Sequence, residues 1–178
     1  MGLSESTKAH KAHAPKRLNF AIFICSTSRY EALKRGTAAT DVSGETIENL
    51  LKAAGHTIVF RKTVSDDKTM IGHATKSVLG NPSIDAAIFC GGTGITKSDV
   101  TIETVSAHFE KTLPGFGEIF RRVSYDRVGS AAVMSRALAG TAKGKALFCI
   151  PGSPDAVRIS VEILILPEAP HIVKHARE

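Results

Sequence analysis

Short apolar runs of strand length alternate along this chain with segments of helical period, and that alternation leaves few folds open. Residues 18–25 form a nearly uninterrupted apolar run, which reads as a buried parallel strand rather than a half-exposed one. In residues 42–54 the apolar positions Ile47, Leu50, Leu51 and Ala54 recur at i, i+3, i+4 and i+7, and Gly55 stands where a left-handed residue ends a helix. Thr57–Val64 reads as a second strand and Ala86–Cys90 as a third. Between them, Asp66 or Asp67 can cap a helix running towards Leu79, which Gly80-Asn81-Pro82 stops. Strands joined by helical crossovers of about a dozen residues run parallel, with the helices packed on the faces of the sheet.

Downstream, residues 101–109 and 116–125 read as helices, the second carrying Phe116, Ile119, Phe120 and Val123 on a stripe suited to core or subunit interface. Residues 136–141 and Lys145–Ile150 flank Lys143-Gly144 as a hairpin, and residues 155–164 form a further apolar-faced helix. The expected fold class is α/β, with a mostly parallel sheet and a C-terminal antiparallel hairpin. A chain of 178 residues without internal repeats suits one domain, expected over residues 18–178 behind a basic, flexible tail over residues 1–17.

That tail holds four basic groups against Glu5, half of the formal charge of +6. It has no aromatic residue on which bases could stack, so it reads as a solvated terminus and not as a nucleic-acid arm. No apolar run approaches the roughly 18 residues of a membrane span, and no apolar segment behind the basic tail resembles a signal peptide. Cys25, Cys90 and Cys149 are widely spaced and embedded in apolar runs, which points to neither a disulfide framework nor a zinc ligand pair. A cytoplasmic location is expected.

The segment richest in chemistry is Gly91-Gly92-Thr93-Gly94, directly after the third strand. Ligands of open α/β sheets bind at the carboxyl ends of strands, and a backbone without Cβ atoms can turn its N–H groups to a phosphate. Residues 91–98 miss the phosphate-binding pattern of nucleotide hydrolases because Thr96 replaces a glycine, and they miss the dinucleotide fingerprint because Lys97 replaces another. A simple glycine turn is the competing reading. Asp99 follows at the mouth of the next helix, where it can cap that helix or hold Mg²⁺ against phosphate oxygens. Asp41-Val42-Ser43-Gly44 repeats the arrangement downstream of Ser26-Thr27-Ser28-Arg29, and residues 26–40 read as a functional loop. Pro151-Gly152-Ser153-Pro154 supplies a third strand-to-helix loop suited to anions. Ser135 and Arg136 are ambiguous by chemistry alone, and none of the seven histidines forms a convincing cluster.

Asp41-x-Ser-Gly44, Gly91-Gly-Thr-Gly94 running into Asp99-Val-Thr101, Pro114-Gly-Phe-Gly117, Met134-Ser-Arg136 and Pro151-Gly-Ser-Pro154 together resemble the molybdopterin-binding MogA/MoaB family in order and spacing. The resemblance spans residues 18–167. It implies a three-layer α/β/α fold, assembly as a trimer or dimer of trimers, and work in molybdenum cofactor biosynthesis beside other enzymes of that pathway. It further implies adenylylation of molybdopterin with Mg²⁺ and ATP, pyrophosphate being released. By the same resemblance Asp41 and Asp99 would act at the phosphates and hold the metal, Gly91, Gly92, Thr93 and Gly94 would cradle phosphate, and Ser26, Ser28, Ser135, Gly152 and Ser153 would line the pocket. The alternative implied by the MoaB-type branch is a molybdopterin-binding protein without transferase activity.

Overall fold

The computed structural model describes residues 14–37 and 40–178, so most of the expected basic tail lies outside the described residues. Within them the strands are β1 (Asn19–Cys25), β2 (Thr57–Val64), β3 (Ala86–Cys90), β4 (Lys111–Leu113), β5 (Leu138–Ala142) and β6 (Lys145–Ile150), which form one sheet in the order β2-β1-β3-β6-β5-β4. The first four in that order are parallel, and β5 and β4 continue the sheet antiparallel. The hairpin between β5 and β6 turns at Lys143-Gly144, both left-handed, as its sequence suggests.

Side chains alternate across the pleat, so each central strand feeds two cores. Phe20, Ile22 and Ile24 of β1, with Ile88 and Phe148, face the helices α2 (Val42–Ala53) and α5 (Pro114–Val128) and the C-terminal helical segments. Ala21 and Phe23, with Phe89 and Leu147, face α3 (Lys68–Gly80) and α4 (Thr101–Ser106). This is the three-layer α/β arrangement. No helix among the described residues is long and apolar enough to cross a membrane.

Three elements depart from the sequence reading. Residues 27–34 form a helix, α1 (Thr27–Lys34), where a loop is expected. Its residues bury no face in the core, so periodicity gives no signal, and its start is fixed instead by Ser26, whose Oγ accepts from the Arg29 N–H. The three-residue strand β4 is too short to show a period. The last helix does not stop at residue 164: α6 (Pro154–Arg158) runs through a π-helical stretch, Ile159–Ile165, into α7 (Leu166–Ala176). Pro167 and Pro170 argue for a break there, but burial of Val161, Ile165, Ala169 and Val173 keeps the helix on the sheet.

Candidate functional site

The carboxyl ends of β1, β3 and β6 lie side by side, and the loops leaving them touch. Gly91 (φ +105°) and Gly92 (φ +60°) adopt left-handed backbone, and a Cβ on Gly91 would collide with the Cys25 carbonyl oxygen. A Cβ on Gly152 would meet the Gly91 Cα at 3.6 Å. Ser43 Oγ donates to the Gly152 carbonyl oxygen at 2.8 Å, which brings the N-terminus of α2 and the exposed Ser153 to the same edge. Ser26 leaves β1 there too, its N–H bonded to the Val64 carbonyl at the end of β2 and its Oγ 3.3 Å from Ser28 Oγ.

The glycine loop already receives an anion from its own chain. Asp99 Oδ2 accepts from the Thr96 N–H at 2.9 Å and from Thr96 Oγ1 at 2.6 Å. The Thr96 hydroxyl, the amides of Thr96 and Gly94 and the Arg136 charge hold the Asp99 carboxyl below the usual carboxylate range, against the opposing effect of partial burial. A Cβ on Gly94 would stand 2.7 Å from Asp99 Oδ2, so the glycine makes room for the carboxylate. Thr93 is buried, and its carbonyl oxygen accepts from Arg136 Nε at 2.9 Å. Arg136 also pairs with Glu103 at 2.6 Å, and that pairing lowers the Glu103 pKa. The Arg136 clamp fixes the loop, and Ser135 stands next to it at the end of the short 3₁₀ turn Gly129–Met134.

Asp66 is the member that the sequence does not single out. Asp67, not Asp66, caps α3 by accepting from the Met70 N–H at 2.8 Å. Asp66 is thereby released to the sheet edge, where its Oδ2 accepts from the Thr27 N–H at 2.8 Å and from Thr27 Oγ1 at 3.0 Å. Its Oδ1 is buried without a hydrogen-bond partner, and the buried Thr101 hydroxyl lies against the Cys25 thiol. Both atoms converge on Gly92: a Cβ there would lie 2.5 Å from Thr101 Oγ1 and 2.7 Å from Asp66 Oδ1. An unpartnered carboxylate oxygen under a glycine loop is a costly arrangement, of the order of 1–3 kcal/mol, and such groups gather where a ligand completes them. The signal available in the sequence is the doubled aspartate at the end of β2, one more than a helix cap needs.

Asp41 is engaged differently. Its Oδ1 caps α2 by accepting from the Gly44 N–H at 2.9 Å, and its Oδ2 lies 3.8 Å from Arg61 Nε. Its charge, with that of Arg29, is felt at the buried Cys90 thiol, whose pKa rises mainly through burial. Arg29, Asp41, Arg61 and Lys62 line a cavity of about 160 Å³ at this edge. Larger cavities occur elsewhere, about 410 Å³ between α3 and α4 and about 450 Å³ beside β4 and α7. No group of three or more His, Cys, Asp or Glu among the described residues could hold a metal ion.

The fold and this edge define a three-layer α/β protein whose glycine-rich strand-end loops meet at one edge of the sheet. Residues 21–171 match the profile of a family described as "Probable molybdopterin binding domain". The chain belongs to that family. It is 45% identical over 168 residues to molybdenum cofactor biosynthesis protein B of Bacillus anthracis, covering 94% of this chain and 95% of that one. It is 39% identical over 183 residues to the molybdopterin adenylyltransferase of Pyrococcus furiosus, covering 100% of both. A crystal structure of a molybdenum cofactor biosynthesis protein B superposes with a TM-score of 0.84 at 43% identity, covering 93% of this chain and 99% of that one.

Proposed function

We propose that this protein transfers the adenylyl group of ATP to the terminal phosphate of molybdopterin, giving adenylyl-molybdopterin and pyrophosphate in molybdenum cofactor biosynthesis. The observation that carries the reading is the buried, unpartnered Asp66 Oδ1 beneath Gly92, beside the Thr101 hydroxyl, at an edge where three strand-end loops meet. The full-length likeness to a protein named molybdopterin adenylyltransferase supports it.

In this reaction a phosphate oxygen attacks the α-phosphorus of ATP and the bond to the pyrophosphate oxygen breaks, so the protein has no covalent step of its own to perform. Its work is positioning and charge neutralisation. The amides of residues 91–94 and the loop at Gly152-Ser153 receive phosphate, with Ser26, Ser28 and Ser135 beside them. Arg136 keeps the glycine loop rigid by holding the Thr93 carbonyl. Arg29 and Lys62 contribute positive charge at the rim of the same edge.

A magnesium ion, when bound, neutralises phosphate charge and orients the in-line displacement. The donor set fits one that is completed by substrate oxygens: two acidic groups, Asp66 and Asp99, flank the glycine loop, and Asp41 stands at the neighbouring helix mouth. Mg²⁺ is usually held by one or two carboxylates plus phosphates rather than by an all-protein cage. We further propose that the protein is a homo-oligomer.

The test mixes purified protein with molybdopterin, ATP and Mg²⁺ and follows pyrophosphate. The expected result is pterin-dependent release, lowered about hundredfold in Asp66→Asn and in Asp99→Asn with both variants folded. Tight molybdopterin binding without pyrophosphate from the unaltered protein would replace this reading with that of a binding protein.

A further inference from the structure

Helices α3 and α4 lie side by side on one face of the sheet, and the cavity of about 410 Å³ opens between them. Gly72 leaves room for it: a Cβ there would meet only the Thr104 methyl carbon within 4 Å, at 3.8 Å. Lys68 and Lys76 stand two turns apart along α3, about 12 Å at 1.5 Å per residue, and both line the cavity. His73 of the same helix and His108, just beyond α4, add two imidazoles. Among the described residues none of these four side chains is hydrogen-bonded to or ion-paired with a carboxylate.

The carboxylate of the cavity is engaged elsewhere. Glu103 pairs with Arg136 at 2.6 Å, and Arg136, with a smaller contribution from Lys68, holds its pKa down. Past Lys76 and His108 the surface continues into a neighbouring space of about 330 Å³ that reaches Lys143. The acid there, Glu110, accepts from the Lys143 N–H at 3.1 Å. Three lysines and two imidazoles thus border one concave surface whose two carboxylates already have partners. Lysine ammonium groups bind phosphate as point charges, and imidazole N–H groups donate to its oxygens.

We propose that the cavity between α3 and α4 binds a compact anion of the oligophosphate class, with inorganic tripolyphosphate as its representative. An anion charged at both ends lies along α3 between Lys68 and Lys76, and His73 and His108 donate to the oxygens between them. The lining holds no Phe, Tyr or Trp on which a nucleobase could stack, so the phosphate chain is what the cavity reads. Glu103 marks the boundary with the glycine loop, since its partner Arg136 holds the Thr93 carbonyl. The site is therefore distinct from the strand-end edge and does not rest on the adenylyl-transfer reading.

Nuclear magnetic resonance of the histidine side chains in the full chain, at constant ionic strength and without divalent metal, reads this cavity directly. His73 and His108 line it, whereas His56 and His171 lie at other surfaces. Tripolyphosphate should shift the His73 and His108 signals saturably and leave those of His56 and His171 in place. Lys68→Gln combined with Lys76→Gln, two exposed positions, should weaken that binding about tenfold or more. Gly72→Leu, which fills the cavity and removes no charge, should weaken it likewise. ATP is expected to bind here no more tightly than tripolyphosphate, and tighter binding of ATP would overturn the assignment to a free oligophosphate. Signals that stay in place, that move equally in the unaltered chain and in the double lysine variant, or that answer to a hexaglutamate peptide and not to tripolyphosphate overturn the proposal.

Discussion

Gly92 concentrates the argument at the scale of one residue. Its left-handed φ of +60° excludes an ordinary side chain by conformation, and the two oxygens beneath it exclude one by space. Gly92→Ala therefore carries a conformational cost of about 1–2 kcal/mol and must also displace Asp66 or Thr101. The expected result is a urea midpoint lowered in that proportion and a much larger fall in pyrophosphate release. Equal losses in Gly92→Ala and in Gly36→Ala, a left-handed glycine with open space around it, would show that conformation alone matters. At this scale the sequence is legible where chemistry is local. The glycine run after an apolar strand announces a strand-end loop with left-handed backbone, and Asp41 announces a helix cap that the structure contains. Asp66 is hidden because a helix start explains either of two adjacent aspartates equally well. Only the bond from the Met70 N–H to Asp67 frees Asp66 for other work.

Between elements, the junction of α2 and β2 holds a second buried polar group with a definite consequence. His56 Nδ1 accepts from the Leu18 N–H at 3.1 Å, at the entry to β1, and the ring packs edge-on against Phe20 at 5.3 Å. A ring nitrogen that accepts from the backbone is unprotonated, and burial holds the His56 pKa below its ordinary 6.5. The folded state thus refuses a proton that the unfolded chain takes up once pH falls through about 6.5. This contribution to stability is complete above that pH and is lost as pH drops towards the folded value. Urea midpoints should fall between pH 7 and pH 5, and His56→Asn, which keeps an acceptor without titrating, should flatten that slope. A slope unchanged by the substitution would assign it elsewhere. Glu48, Asp99 and Glu103, all with lowered pKa values, lose their contributions only as pH falls below about 4.5, later than the onset that His56 sets. Elements of strong period are the ones the sequence discloses: β1, β2, β3, α2, α3 and the β5–β6 hairpin all lie within a residue or two of where the apolar pattern puts them. Helix α1 escapes because it buries nothing, and the extension of the last helix escapes because two prolines contradict a burial pattern that only the assembled sheet enforces.

At the scale of the whole molecule, the exposed apolar residues are not evenly spread. Ile119, Tyr125 and Val128 of α5 are each about half exposed, and Val133 and Met134 of the following 3₁₀ turn are 80% and 53% exposed. Single exposed hydrophobic residues are ordinary, but a run of them over one helix and its continuation is the mark of a surface that another protein covers. The opposite face of α5 is accounted for, since Phe116 and Phe120 are buried in the core. The stripe on this helix thus divides into core and surface, and the surface half leads towards Arg136, which fixes the glycine loop. A second copy of the chain seated there would also steady the glycine loop through Arg136, linking assembly to the proposed activity. Sedimentation equilibrium is expected to give at least twice the mass of the 18.9 kDa chain. Ile119→Asp combined with Val133→Asp should shift it to the single-chain mass and lower adenylyl transfer while leaving the circular dichroism spectrum intact. An unaltered protein that sediments as one chain would rule out this assembly. Dissociation with undiminished transfer would show that each chain holds its glycine loop through Arg136 and Glu103 alone.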